Sequence, residues 1–208
     1  MLNSKNIIVL APHTDDGELG CGASIAKYIS EGKNVTYVAF STCSHSLPTG
    51  FAGDTLEKEC RAAMKMLGVQ NVMFFDYQVR EFSDHRQEIL DQLIKINSNL
   101  KPQIVFLPAQ HDVHQDHQVI YAEGMRAFKS SNLVGYELPW NNPRFQPVYF
   151  EKIEESQMKS KLQSLKEYKS QAHRKYMNED FIRSLASVRG IQCDTPFAEA
   201  FEIYRMMG

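Results

Sequence analysis

The sequence predicts an α/β protein: a mostly parallel sheet with helices on both faces. Three observations carry this. Short, apolar, β-branched runs alternate with helix-length segments along the first two thirds of the chain. Several helix-like segments stop at a glycine, as at Gly32 and Gly68. No Gly/Ser linker or change of composition divides the 208 residues, so one domain spanning 1–208 is expected. The segments do not resemble one another, which excludes a solenoid repeat.

The elements follow in order. Residues 6–10 (Asn-Ile-Ile-Val-Leu) read as a buried strand. Residues 19–31 have helical spacing and end at Gly32; 34–40 form the next strand. The stretch 41–53, rich in Ser, Thr, Gly and Pro, is a loop. A helix is expected over 55–67, then a strand over 71–75 and a helix over 84–100 with Asp84 as its N-cap. Residues 103–107 are a fourth strand stopped by Pro108, and 116–128 return as helix. The last third is less regular. Strands are expected at 133–137 and 148–153 around a Pro-flanked loop at 140–147. Helices follow at 156–168 and at 178–189, the second stopped by Gly190. Residues 198–204 either close the sheet or pack on it.

Bulk composition narrows the function classes. Apolar residues make up 43% and charged residues 23%, and the formal net charge is −2. That balance offers no broad surface for nucleic acid or membrane. No apolar segment is long enough to span a bilayer, and Met1–Asn6 carries no charged-then-apolar leader. Cys21, Cys43, Cys60 and Cys193 show no CxxC spacing, which predicts free thiols in a reducing cytoplasm.

The chemistry is concentrated in two short segments. Ala11-Pro-His-Thr-Asp-Asp16 directly follows the first strand, and His114-Gln-Asp-His117 follows the fourth. Carboxyl ends of parallel strands are where open α/β sheets bind ligands. A turn after Leu10 brings His13 and Asp16, three positions apart, toward one ion. Asp15 then points elsewhere, free to act as a base. Gly17, Gly20 and Gly22 permit the tight turn. His114 and His117 lie on one face of a helix start, and Asp116 is placed to accept an imidazole's second N–H. A catalytic zinc takes three protein ligands and keeps an open position. His13, Asp16 and one of the two later histidines satisfy that. Zinc lowers the pKa of a bound water from about 16 toward about 7. Asp15 would take the proton as water attacks a carbonyl, and the remaining histidine, if protonated, would stabilise the oxyanion.

The pattern APHTDDGELGCGA with HQDH about a hundred residues later resembles the PIG-L/LmbE-like N-deacetylases. Their signatures are a His-Pro-Asp-Asp-Glu segment and a later His-x-Asp-His segment. The resemblance runs on through ECRAAMKMLG (59–68), Ser170-Gln171 and Ala198-Glu-Ala-Phe201. It implies a Rossmann-like three-layer αβα sandwich, a mononuclear Zn2+ site and hydrolysis of an N-acetyl group on a glucosamine-containing small molecule. Carried over by position, it makes His13, Asp16 and His117 the metal ligands and Asp15 the general base. His114 becomes the oxyanion-stabilising or acid group, tuned by Asp116. Relatives often form homo-oligomers, so assembly of several copies is compatible with it. Two departures stand out: Thr14 replaces the usual proline, and Gly17 replaces the usual glutamate, with Glu18 next to it. Asp112 occupies the place where some relatives carry a tyrosine.

On the substrate side, the loops after the second and third strands offer His45, Asp76 and Arg80, and arginine suits bidentate contact with a carboxylate or phosphate. Trp140 either stacks on a sugar face or packs over the core. A nucleotide-binding reading is disfavoured: the glycines do not make GxGxxG, and two carboxylates at the turn repel a pyrophosphate. A structural metal site needs neither the base nor the open position.

Overall fold

A computed structural model describes residues 4–207. Of the opening stretch Met1–Asn6, residues 1–3 lie outside the described residues. The strands are β1 (Asn6–Ala11), β2 (Asn34–Ala39), β3 (Asn71–Phe74), β4 (Ile104–Pro108), β5 (Asn132–Tyr136), β6 (Tyr149–Ile153) and β7 (Phe197–Arg205). They form one sheet in the order β3-β2-β1-β4-β5-β7-β6. The first five strands are parallel; β7 runs antiparallel between β5 and β6. The last third therefore completes the sheet by inserting its final strand, not by packing on it.

Period-two alternation in β1 feeds two cores. Ile7, Val9 and Ala11 join one cluster, with side chains of α1 (Asp16–Ser30), α2 (Thr55–Leu67), α5 (Glu155–Leu165) and α6 (Glu179–Ile191). Ile8 and Leu10 join the other, with α3 (Arg86–Leu100) and α4 (Gln115–Ala127). Burial on both faces explains the unbroken apolar run. Among the described residues, no helix is long and apolar enough to cross a membrane. Three of the four cysteines are buried, Cys193 is half-buried, and all are free.

Two local expectations shift. Asp84 does not cap α3; Phe82, fully buried, draws Phe82–His85 into a 3-10 turn, and the helix begins at Arg86. Nor does Gly190 stop α6, which runs to Ile191. A Cβ there would lie 2.4 Å from the Thr195 carbonyl oxygen, so this glycine serves close chain approach.

β1 sends its chain toward β2 on one side while β4 lies on the other. The sheet's order of winding reverses between these two neighbours. The loops leaving their carboxyl ends bound the crevice where such sheets bind ligands.

Candidate metal centre and active site

The turn after β1 carries His13 to Asp16, and α1 begins directly after Asp15. Asp15 occupies the N-cap position, yet its side chain makes no capping hydrogen bond. Its carboxylate is thus not consumed by the helix start. Asp16 Oδ2 instead accepts the backbone N–H of His13 at 2.8 Å, which closes the turn.

The second segment meets this turn from α4. His117 Nε2 lies 3.1 Å from Asp16 Oδ2 and 3.3 Å from His13 Nδ1, and His13 Nδ1 lies 3.2 Å from Asp16 Oδ2. Three donor atoms so spaced fit the edges of a tetrahedron with metal–ligand bonds of about 2.0–2.1 Å. The other nitrogen of each imidazole rests on a carboxylate: His13 Nε2 on Asp116 Oδ2 at 3.0 Å, and His117 Nδ1 on Asp112 Oδ2 at 2.8 Å. Such carboxylate–imidazole pairs fix the tautomer that leaves the inner nitrogen free to ligate. The donor set therefore fits a divalent ion of zinc type. The His13, His114 and His117 ring nitrogens also gather within 4.8 Å of one another, a looser group.

Asp116 therefore orients His13. Toward His114 it offers its backbone N–H, donated to His114 Nδ1 at 3.2 Å, while its carboxylate stays 3.9 Å away. The Asp116 carboxylate acts on His114 through its charge alone, opposing the downward push of burial and the other two imidazoles, while the His114 ring caps α4. Sequence marks Asp112 only as standing where some relatives carry a tyrosine. It reaches five positions forward around the helix start, and no local pattern marks that reach.

Charges follow from this packing. Burial works to lower His13 and His117, but Asp16 outweighs it, helped by Asp116 and Asp112 respectively. The two rise to about 9 and about 10. Metal binding would release the protons that these raised values favour. Burial opposes ionisation of Asp16, but the two histidines prevail and hold it far below the usual carboxylate range. Asp15 moves the other way, to about 6, through burial and the charge of Asp16. His114 falls to about 4 through burial and the neighbouring imidazoles.

Tyr37 meets the chain at both departures, Thr14 and Gly17. The Thr14 carbonyl accepts hydrogen bonds from the Tyr37 and Tyr168 hydroxyls, at 3.0 and 2.6 Å. Both hydroxyls also bond the fully buried Glu18, which burial pushes up to about 8. This clamp holds the Thr14 carbonyl in the turn. Glu18 lies beneath the turn, not at the donor triangle. A Cβ at Gly17 would stand 2.5 Å from the Tyr37 ring, so Tyr37 excludes any side chain there. Gly17 and Gly20 keep negative φ, and a Cβ at Gly20 would stand 2.4 Å from the Tyr136 ring. These glycines admit neighbouring tyrosines; they are not required by the turn's dihedrals.

The triangle opens into a cavity of about 340 Å³, walled by Asp15, His114, Arg80, Trp140, Arg174 and Tyr176 among others. Trp140 stacks on Tyr176 with ring centroids 4.3 Å apart. His45 and Asp76 are not brought to this wall. Asp76 is exposed and accepts from the Thr42 hydroxyl at 2.6 Å, and His45 turns to Ser44 at 3.1 Å while Cys43 and Ser46 face the cavity.

Residues 8–128 match the family described as GlcNAc-PI de-N-acetylase, PIG-L. The chain is 32% identical to an uncharacterized deacetylase, YaiS, of Escherichia coli (strain K12), over 80% of this chain and 91% of that protein. Among solved structures, N,N'-diacetylchitobiose deacetylase from Pyrococcus horikoshii superposes with a TM-score of 0.81. The identity there is 21%, over 97% of this chain and 84% of that one. GalB, a 4-carboxy-2-hydroxymuconate hydratase from Pseudomonas putida KT2440, superposes equally well, at 0.81 and 18% identity, over 98% of each chain. The fold alone therefore does not select the reaction; the family match and the Escherichia coli relative do.

Proposed function

Since the chain belongs to the GlcNAc-PI de-N-acetylase (PIG-L) family and is an N-deacetylase, we propose that it removes the acetyl group from an N-acetylglucosamine-type conjugate in a zinc-dependent hydrolysis. The observation that carries this reading is the donor triangle of His13, Asp16 and His117 with the uncapped Asp15 carboxylate beside it. A divalent ion held there would supply Lewis acidity to a water and to the amide carbonyl.

The chain's own groups supply the rest. Asp15, pushed up to about 6, is a base matched to neutral pH. It takes one proton from the attacking water as the C–O bond forms, and returns it to the nitrogen as the C–N bond breaks. Acetate and a free amine result. His114 Nδ1 accepts the Asp116 backbone N–H, so its neutral ring carries its proton on Nε2. That N–H is the donor for the carbonyl oxygen as it gains charge. A neutral donor here takes the place of the protonated histidine that the sequence reading allowed for, since burial and two neighbouring imidazoles disfavour a third charge.

The test is acetate release from a panel of N-acetylglucosamine conjugates by metal-stripped protein, with and without zinc. Asp15→Asn should lower turnover by about 10²–10⁴-fold while retaining zinc measured by elemental analysis. Undiminished hydrolysis by that variant would overturn the role of Asp15. Iron, cobalt and manganese belong in the same series, since imidazole–carboxylate sets accept them.

A further inference from the structure

The base at Asp15 has no side-chain support. It stands at the N-cap of α1 without a capping bond, and among the described residues no other side chain hydrogen-bonds its carboxylate. Burial and the charge of Asp16 push it up, while the charge of His13 and its own backbone N–H pull it down. The direction of this carboxylate is therefore set by the backbone that carries it.

That backbone is gripped from the far side. The Thr14 carbonyl and the Asp15 N–H belong to one planar trans peptide and point opposite ways. The carbonyl accepts the Tyr37 hydroxyl at 3.0 Å and the Tyr168 hydroxyl at 2.6 Å. Tyr37 comes from β2 and Tyr168 from the turn after α5, and both are fully buried. The Glu18 carboxyl touches both hydroxyls, and the Gly17 N–H donates to the Tyr37 oxygen at 3.1 Å. Neither ring can turn away without stranding buried polar groups. Two hydroxyls on one carbonyl are also more than the turn requires, since the His13 N–H already closes it on Asp16 Oδ2.

We propose that Tyr37 and Tyr168 are positioning residues for the deacetylation: by pinning the Thr14 carbonyl beneath the turn, they hold the next residue, Asp15, with its carboxylate toward the open side of the donor triangle. This rests on the reading of Asp15 as the base and names what aims it. The metal ligands are held by other means, His13 by Asp116 and Asp16 by the His13 N–H. Loss of the hydroxyls should therefore disturb the base and spare the metal.

The experiment uses zinc-loaded Tyr37→Phe, Tyr168→Phe and the double variant, each of which keeps its rings. Acetate release is measured on the N-acetylglucosamine conjugate that the wild type hydrolyses fastest. With the base misaimed, kcat should fall about tenfold in each single variant and about 10²-fold in the double, at unchanged KM and zinc content. Tyr28→Phe is the control: it removes a hydroxyl from the same core, one bonded to Glu151, and should leave kcat unaltered. In an Asp15→Asn background the tyrosine changes should cost nothing further, because residues acting through one group are not additive. Unchanged kcat in the double variant, an equal loss in Tyr28→Phe, or an undiminished loss in the Asp15→Asn background each overturns the proposal. The 15N shift of the Asp15 amide reads the same peptide without turnover, since an amide nitrogen responds to hydrogen bonding at the carbonyl it is joined to. It should move in Tyr168→Phe and stay in place in Tyr28→Phe; a shift that does not move in Tyr168→Phe overturns the grip. A shift that moves as expected, in a protein that hydrolyses no conjugate, supports the grip and places the failure in the deacetylase reading.

Discussion

Asp112 uses both carboxylate oxygens on the second motif. Oδ1 accepts the His114 backbone N–H and Oδ2 receives His117 Nδ1, each at 2.8 Å. One buried side chain thereby sets both the start of α4 and the aim of a donor nitrogen. His114, three positions before His117, is separated from it in role by one bond: its Nδ1 is occupied by the Asp116 N–H, whereas the His117 Nε2 faces the triangle. That difference is measurable. With His114→Ala, kcat should fall by about 10²–10³-fold, the cost of removing one oxyanion donor, while zinc affinity stays near wild type. If zinc affinity collapsed with it, His114 would belong to the ligand set and the looser three-histidine group would be the metal site.

At the scale of elements, α1 is not continuous. Cys21 has φ −146° and ψ 25°, which breaks the helix and leaves backbone groups on both sides without helical partners. Glu199 on β7 accepts the Ala23 and Ser24 N–H groups and the Ser24 hydroxyl. Lys161 on α5 donates to the Leu19 carbonyl and pairs with Glu199, both contacts at 2.7 Å. A buried carboxylate and ammonium so placed serve as a cap inserted into the middle of a helix. Lys161→Met keeps the stem and removes the charge, stranding Glu199. Stability should fall by about 3–5 kcal/mol, read from urea unfolding as a lower midpoint at unchanged m-value. A loss under about 1 kcal/mol, the range of a surface pair, would mean that the break is held some other way.

At the scale of the whole molecule, the residues matched by the family, 8–128, hold every proposed metal ligand. The last third holds what steadies them: Tyr168 on the Thr14 carbonyl, Glu199 at the helix break, and Arg174 and Tyr176 on the cavity wall. Glu59 reaches across to the Ser170 N–H and hydroxyl, joining two stretches that the sequence already marked. Glu151 ties β6 back to α1 through Lys27 and to Tyr28 and Tyr149, all at 2.6 Å. Burial opposes ionisation of Glu151, but those three donors outweigh it and hold its carboxyl below the usual range. A depressed carboxyl adds stability that is complete above its unfolded pKa and is lost as pH falls through the folded value. The folded protein should therefore lose part of its stability below about pH 4–5, and Glu151→Gln should flatten that fall in urea titrations. An unchanged slope in the variant would place the acid sensitivity elsewhere. Contacts of this kind explain what sequence did and did not disclose. Helix 55–67 was legible because Asp54 and Gly68 bracket it, and the two motifs because each follows an apolar strand. The 3-10 turn at Phe82, the Trp140–Tyr176 stack and the Asp112 and Glu199 bonds depend on partners in other elements or around a helix end, where spacing carries no signal. The helix break has one more consequence, which concerns time. Ala23 and Ser24 wait for an acceptor 176 and 175 residues further along. At ribosomal speeds of about 5–20 residues per second, that gap lasts roughly 10–35 s. The helix that follows the turn bearing His13 and Asp16 is thus synthesised well before the carboxylate that secures it. A chain released before residue 199 carries all the proposed metal-binding side chains but lacks the carboxylate that completes the helix beneath them.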